Sequence, residues 1–247
     1  MTSPTWILVD ELDEVRTAAG QMAADVALLE AAAADGTPRL RLYRWHAPAL
    51  SLGRFQPDND VDADACERLG VEVVRRPTGG RALLHGSDLT YAVALPVALG
   101  ERAGVDATYG YLATALCAGL AQLGVRAAVA RHDGPSGAVC MATQQGADLR
   151  VGERKVCGSA QVQRGGGVLQ HGSILLDRLA FDETDLVVGE HDRGALHAAT
   201  VTLAELGAPH DARIVADAVV DGFRVALEID FTLESRSTVV TSTPGGG

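Results

Sequence analysis

The chain has 247 residues, of which 47% are hydrophobic and 21% charged, with a formal net charge of -11; this is the composition of an ordinary globular protein with a sizeable core. The acidity argues against a nucleic-acid partner, whose phosphates call for clustered Lys and Arg, and no apolar run approaches the roughly 20 residues of a membrane span. The opening MTSPTWILVDELDEV lacks the basic stretch and apolar core of a signal peptide, so a cytoplasmic protein with no nucleic-acid or membrane partner is expected.

In chain order, Met22, Val26, Leu29 and Ala33 recur at helical spacing and Gly36 follows as a stop, which predicts an amphipathic helix over 20–35. RLRLYRW (39–45) alternates like a strand, and DADACERLG followed by VEVV (62–74) reads as a short helix, a glycine stop and a second strand. DLTYAVALP (88–96) places Leu89, Tyr91, Val93 and Leu95 on one face, and Tyr109, Leu112, Leu116, Leu120 and Leu123 line a helix over 106–124. ADLRV, a turn at Gly152 and Glu153, RKVCGSAQVQR, the glycine cluster 165–167 and VLQHGSILLD predict a β-meander. The stretch 191–200 reads as linker-like, Thr202 and Glu205 fit a capping box, 212–227 is a last helix and 228–233 a last strand. There is no internal repeat, and hairpins interleaved with helices predict an α+β domain around a largely antiparallel or mixed sheet. One catalytic domain is expected over 1–235, with a disordered tail over 236–247.

Three motifs carry possible chemistry. In RRPTGGRALLH (75–85), two glycines after a strand allow a ligand close to the main chain, while Arg75 and Arg76 have the geometry to hold a carboxylate or phosphate. The competing reading is a surface turn flanked by solvated arginines, with His85 a structural histidine. In GERKVCGSAQ (152–161) stands Lys155, the single lysine in a chain with twenty arginines. A compact ammonium polarises a carbonyl or steadies a thiolate in a way a guanidinium does not. On a strand Lys155, Cys157 and Ser159 share a face, which nominates Cys157 as a nucleophile. In GAVCMATQQGADLR (137–150), Cys140 in a loop is an equal candidate. Spacing does not choose between the two cysteines. His171 and Gly172 in LQHGS place a histidine and a glycine in an apolar strand, either for close approach of a ligand or as core. No C-x-x-C or H-E-x-x-H pattern is present, so neither a disulfide framework nor a metal site is expected.

Five ordered blocks, GQMAADVALL, LRLYRWHAPALSLGRFQ, VVRRPTGGRALLHGSDLTYAV, RKVCGSAQVQRGGGVLQHGSILLD and DGFRVALEI, resemble the lipoate-protein ligase and octanoyltransferase family. The resemblance implies a single α+β catalytic domain of the biotin and lipoate protein ligase type, with an acyl tunnel between the arginine-glycine motif and the lysine strand. PTGGRALLH looks most like the cysteine-dependent octanoyltransferases of Gram-positive type. On that likeness Lys155 matches the lysine that contacts the acyl carbonyl, Cys140 matches the nucleophile, and Cys157 falls where relatives carry Ala or Val and becomes a packing residue. Arg75, Arg76, Thr78, Gly79, Gly80, His85, Gly158, Ser159, Ala160, Gln161, His171 and Gly172 match the substrate-binding segments.

The implied reaction moves an octanoyl group from octanoyl-acyl carrier protein through a Cys140 thioester to a lysine of a lipoyl domain or of the glycine-cleavage H protein, with no cofactor. Arg75, Arg76, Arg81, Arg150, Arg154 and Arg164 would supply a local basic rim for the acidic carrier. The rival is an ATP-dependent lipoate-protein ligase acting through lipoyl-AMP, for which ATP and Mg would be needed. A third reading is an acyl-binding relative without turnover.

Overall fold

A computed structural model describes residues 3–97, 104–129 and 148–234; Cys140 and the tail expected over 236–247 lie outside the described residues. Its elements run β1 (Thr5–Glu11), α1 (Ala18–Asp35), β2 (Arg39–Tyr43), β3 (Ala49–Leu52), α2 (Ala63–Leu69), β4 (Glu72–Arg75), β5 (Leu83–His85), β6 (Asp88–Pro96), α3 (Gly104–Gln122), β7 (Ala128–Val129), β8 (Leu149–Val151), β9 (Arg154–Arg164), β10 (Gly167–Leu175), α4 (Arg193–Ala199), α5 (Ala212–Leu227) and β11 (Asp230–Leu233).

Among the described residues, eight strands form one mixed sheet in the order β11-β1-β2-β6-β10-β9-β8-β7, and β4-β3-β5 form a smaller one. The pairs β11-β1 and β1-β2 are parallel. From β2 onward the large sheet is antiparallel, and β6, β10 and β9 carry its long ladders. The expected α+β fold and the meander are both present. Gly152, at the β8-β9 turn, has φ 60°, and Gly165 and Gly166, at the β9-β10 turn, have φ 60° and 85°, a left-handed backbone that favours glycine.

Two helical layers sandwich the large sheet. Leu112, Leu116 and Leu120 of α3 join Val215, Val219 and Phe223 of α5 and Leu40, Leu42, Tyr91 and Val93 of the sheet in one core cluster. Met22, Leu28, Leu29 and Ala32 of α1 pack with Tyr43, Trp45, Ala92, Ala94 and Leu169 in another. The small sheet covers a third, which includes Leu50, Leu52, Leu83 and Leu186.

Local signals explain most boundaries. Thr17 caps α1 by accepting from the Gly20 N–H, and Gly36 ends it with φ 74°. Asp62 caps α2, and Gly70 ends it at φ 66°. The linker-like reading of 191–200 is corrected: Asp192 caps a helix there, accepting from the Ala195 N–H. The Thr202–Glu205 box forms, with reciprocal bonds of 3.0 and 3.1 Å, but closes a turn and no helix.

β2 departs from its alternating pattern, since all five residues are buried, Arg39 and Arg41 included. The reason is α1, which lies over the face that the pattern assigns to water. Trp45, expected at the end of the same strand, lies past its last ladder residue, Tyr43.

Candidate active site

Between the two sheets lies a partly open cavity. Ser51, Arg76, Leu83 and His85 line it from the small-sheet side, Gly158, Ser159, Ala160, His171, Gly172 and Ser173 from β9 and β10, and Met22, Tyr43, Trp45 and Thr90 close it. β9 and β10 approach it as bare main chain because the sequence there is small. A Cβ on Gly172 would meet the Gly158 carbonyl oxygen at 2.4 Å and the Tyr91 ring at 2.7 Å, so only glycine fits.

Two carboxylate–imidazole–hydroxyl chains border the cavity. In the first, Asp25 Oδ2 is 2.8 Å from His171 Nδ1, and His171 Nε2 is 2.6 Å from Thr78 Oγ1. A carboxylate only accepts, so Nδ1 carries the proton and, in the neutral ring, Nε2 accepts from the Thr78 hydroxyl. The Tyr43 hydroxyl also donates to Asp25 at 3.1 Å, and Arg41 Nη1 donates to it at 2.6 Å. Burial, and next the Asp25 charge, push the Tyr43 phenol well above its ordinary range, which keeps it a donor. Arg41 continues the chain to Glu11 at 2.7 Å and to the Gln21 side chain.

In the second chain, His85 Nδ1 is 3.0 Å from Asp88 Oδ2, and the Ser51 hydroxyl donates to His85 Nε2 at 2.8 Å. The Thr90 hydroxyl donates to Asp88 at 2.8 Å and accepts from the Trp45 indole at 2.9 Å. Burial opposes ionisation of Asp88, but the adjacent His85 and the hydrogen bonds hold its carboxyl below the ordinary range. The Trp45 ring stacks on His85 with centroids 4.2 Å apart. Both chains tie the small-sheet side to the large sheet, and their polar atoms are satisfied by one another, so the wall is effectively apolar.

The arginine pair departs from the anion-holding role expected for it. Arg76 is buried and directs its guanidinium at the carbonyls of Ser51, Gly79 and Arg81 and the Ser51 hydroxyl, between 2.8 and 3.2 Å. Arg75 donates to the carbonyls of Gly53 and Gln56 at 2.6 and 2.7 Å and to the Asp58 carboxylate. Arg76 therefore braces the loop that carries Thr78, Gly79 and Gly80, and Arg75 braces the segment that follows β3. Gly80 is pressed against the end of β3: a Cβ on Gly53 would lie 1.9 Å from its carbonyl oxygen. The expected basic rim is correspondingly reduced, because Arg76 is buried, Arg81 pairs with Asp60 at 3.6 Å and Arg150 with Glu153 at 3.7 Å.

Lys155, at the start of β9, has its ammonium 2.8 Å from Asp148 Oδ2, with both side chains buried. The β8-β9 hairpin sets Arg150 opposite Lys155, and the Lys155 carbonyl accepts from the Val201 N–H at 2.9 Å. Cys157 is fully buried in the core under α3 and α5. Burial, with the Asp148 charge, pushes its thiol far up. The geometric case for a Cys157 nucleophile fails on these grounds.

The structure thus brings Arg76, His85, Gly158, Ser159, Ala160, His171 and Gly172 to one cavity, with Thr78 bonded to its wall. Lys155, Arg75, Gly79, Gly80 and Gln161 do not line it. Asp25, Arg41, Tyr43, Trp45, Ser51 and Asp88 were not expected at the cavity, nor Asp148 beside Lys155. The signal available for Asp25 was an acidic residue three positions after Met22, on the helix face that the pattern turns inward. Beyond β5 a second, partly open cavity is lined by Leu84, Phe181 and Glu183 among others. The Glu183 carboxyl accepts from the Leu84 N–H at 3.3 Å, and burial pushes it up to about 7.

Residues 17–224 match the model of the lipoyl protein ligase A/B catalytic domain. The chain is 42% identical over 211 residues to the octanoyltransferase LipM of Symbiobacterium thermophilum, covering 79% of this chain and 77% of that one. It is 36% identical over 249 residues to the octanoyltransferase LipM of Kyrpidia tusciae, covering 90% and 89%. In fold it is similar to a putative lipoate protein ligase from T. acidophilum with bound lipoic acid, with a TM-score of 0.75 at 23% identity over 95% of this chain and 89% of that one.

Proposed function

The chain belongs to the lipoyl protein ligase A/B catalytic family, and from that premise we propose that it is a cytoplasmic octanoyltransferase that takes an octanoyl group from acyl carrier protein and delivers it to a lysine of a lipoyl domain or of the glycine-cleavage H protein. The observation that carries the reading is 42% identity to an octanoyltransferase over 79% of the chain.

In the proposed reaction the Cys140 thiolate attacks the carbonyl carbon of the carrier thioester. A sulfur–carbon bond forms, the carrier's own breaks, and the departing thiolate takes up a proton. The acceptor amine then attacks the enzyme thioester, a nitrogen–carbon bond forms, Cys140 leaves and the nitrogen loses a proton. We assign Lys155 to the carbonyl end, where a fixed ammonium favours the developing oxyanion more than the ground-state carbonyl. Asp148 is then the group that holds this ammonium in place. The apolar cavity receives the acyl chain. Because a thioester is already activated, the scheme calls for neither nucleotide nor metal. The engagement of Arg75 and Arg76 with protein acceptors favours it over lipoyl-adenylate chemistry, which would ask those guanidiniums for a phosphate.

The test is intact mass after mixing with octanoyl-acyl carrier protein without ATP. A hydroxylamine-sensitive octanoyl adduct is expected on wild type and Cys157→Ser and not on Cys140→Ser. No adduct on any of the three, together with ATP-dependent attachment of free lipoate to a lipoyl domain, would replace this reading with the ligase.

A further inference from the structure

We infer that Arg178 is a positioning residue for Lys155, acting through Thr200 and Val201; what Lys155 does in the reaction rests on the octanoyltransferase reading, whereas where it stands does not. The need for a holder comes from the sheet. The β9-β10 ladder ends at the pair Cys157–Ile174, so Lys155, two residues before Cys157 on β9, lies beyond the last pair with β10. There its main chain meets the segment 200–204 instead. Thr200 forms an isolated parallel bridge with Lys155, and the Val201 N–H donates to the Lys155 carbonyl at 2.9 Å. The same segment is joined to the end of β10: the Leu203 N–H donates to the Leu175 carbonyl at 2.9 Å and the Ala204 N–H to the Leu176 carbonyl at 3.0 Å.

A single bridge is slight support, and Arg178 supplies more. Its guanidinium meets the Glu205 carboxylate as a fork, Nε to Oε1 at 2.7 Å and Nη2 to Oε2 at 3.1 Å. Nη1 and Nη2 also donate to the Thr200 hydroxyl oxygen at 3.2 Å, and Nη2 to the Thr200 carbonyl at 3.3 Å. The Thr200 hydroxyl spends its own proton on the Leu196 carbonyl of α4, at 2.8 Å. One guanidinium therefore fixes both ends of the segment whose Val201 holds the Lys155 carbonyl. Exposed ion pairs usually contribute little, and the two-toothed arginine–carboxylate pair is the geometry that does; here the Arg178 hydrogen bonds hold the Glu205 carboxyl below its ordinary range. Asp148 restrains the tip of Lys155 at 2.8 Å, while Arg178 restrains the main chain from which that tip is aimed.

The chain has a single lysine, so protein grown on ε-13C-lysine gives one ε-methylene NMR signal that reads the surroundings of Lys155 directly. That signal and the rate of thioester formation from octanoyl-acyl carrier protein are compared in wild type, Arg178→Ala, Thr200→Val, Thr200→Ser and Arg39→Ala. Arg39 makes a like fork with Asp35 at the other end of the sheet and controls for a general loss of stability. Arg178→Ala and Thr200→Val should displace the signal and lower the rate at saturating carrier by about tenfold to a hundredfold, with the half-saturating carrier concentration unchanged. Thr200→Ser, which keeps the hydroxyl, and Arg39→Ala should match wild type in both. An unmoved signal in Arg178→Ala, an equal displacement in Arg39→Ala, or a change in half-saturation alone, which would make Arg178 a carrier contact, would overturn the inference. The expected pattern of signals in a protein that forms no thioester would defeat the transferase reading and leave the positioning of Lys155 standing.

Discussion

The ammonium of Lys155 and the carboxylate of Asp148 face each other at 2.8 Å with 1% and 2% of their side chains exposed. A buried pair of this kind adds little net stability, but removing one partner strands the other charge. Asp148→Ala should lower unfolding stability by about 3 kcal/mol, measured by urea denaturation. Asp148→Ala combined with Lys155→Met should recover most of that loss while remaining inactive. Equal stability of the single and double variants would show that the two charges are not coupled.

Cys157 should behave as a small apolar side chain. Its thiol is pushed far up by burial and the Asp148 charge, so no appreciable thiolate exists between pH 7 and 9. Alkylation by iodoacetamide, followed by peptide mass mapping, should leave Cys157 unmodified in the native protein and label it only in denaturant. Labelling at the rate of an exposed cysteine would mean that the hairpin opens in solution.

Glu183 should give the stability a pH dependence of unusual sign. Burial pushes its carboxyl up to about 7 in the folded protein against 4.5 for an ordinary glutamate, so between these pH values the folded state holds the proton more tightly. The stabilisation is complete below pH 4.5 and is lost as pH rises towards 7, by about 3 kcal/mol in all. Urea midpoints between pH 5 and 8 should fall with pH in wild type and fall less in Glu183→Gln. Parallel curves would place the carboxyl in water.

Gly172→Ala should be among the most damaging single-methyl additions in the chain. The new Cβ would lie 2.4 Å from the Gly158 carbonyl and 2.9 Å from Ser159 Oγ, forcing β9 and β10 apart beside the cavity. We expect a loss of about 2 kcal/mol, read from thermal unfolding, with weaker retention of octanoic acid. A neutral substitution would show that the two strands slide without cost.

What the sequence made legible was local. The periodicity of α1, its stop at Gly36 and the glycine turns around β9 are carried by neighbouring residues. β1, by contrast, finds one parallel partner in β11, pairing Thr5 with Asp230, and no turn residue announces a pairing so distant. β3 and β5 span four and three residues, too short for alternation to register. The glycine loop, His85, His171 and the lysine strand were visible as motifs. Asp25 was not, because its value depends on partners 16, 18 and 146 residues away. A binary pattern marks a residue as polar and is silent about a second layer of structure that buries it. Arg75 and Arg76 misled for a related reason: their type suits an anion, and the carbonyls that engage them instead come from β3, the segment after it and the glycine loop, whose meeting the sequence does not reveal.

The single lysine of this chain is the buried one, and that has a bearing on selectivity. An enzyme proposed to finish its reaction on a lysine amine is exposed to a hazard of its own making, since any flexible surface lysine near the thioester would be a competing acceptor at very high effective concentration. Here the twenty other basic side chains are arginines, which stay protonated and do not attack thioesters. The one amine side chain is buried against the Asp148 carboxylate and is not presented at the surface. No surface lysine side chain of this sequence therefore competes in the product-forming step, and the lysine that takes the acyl group is one that another molecule must bring.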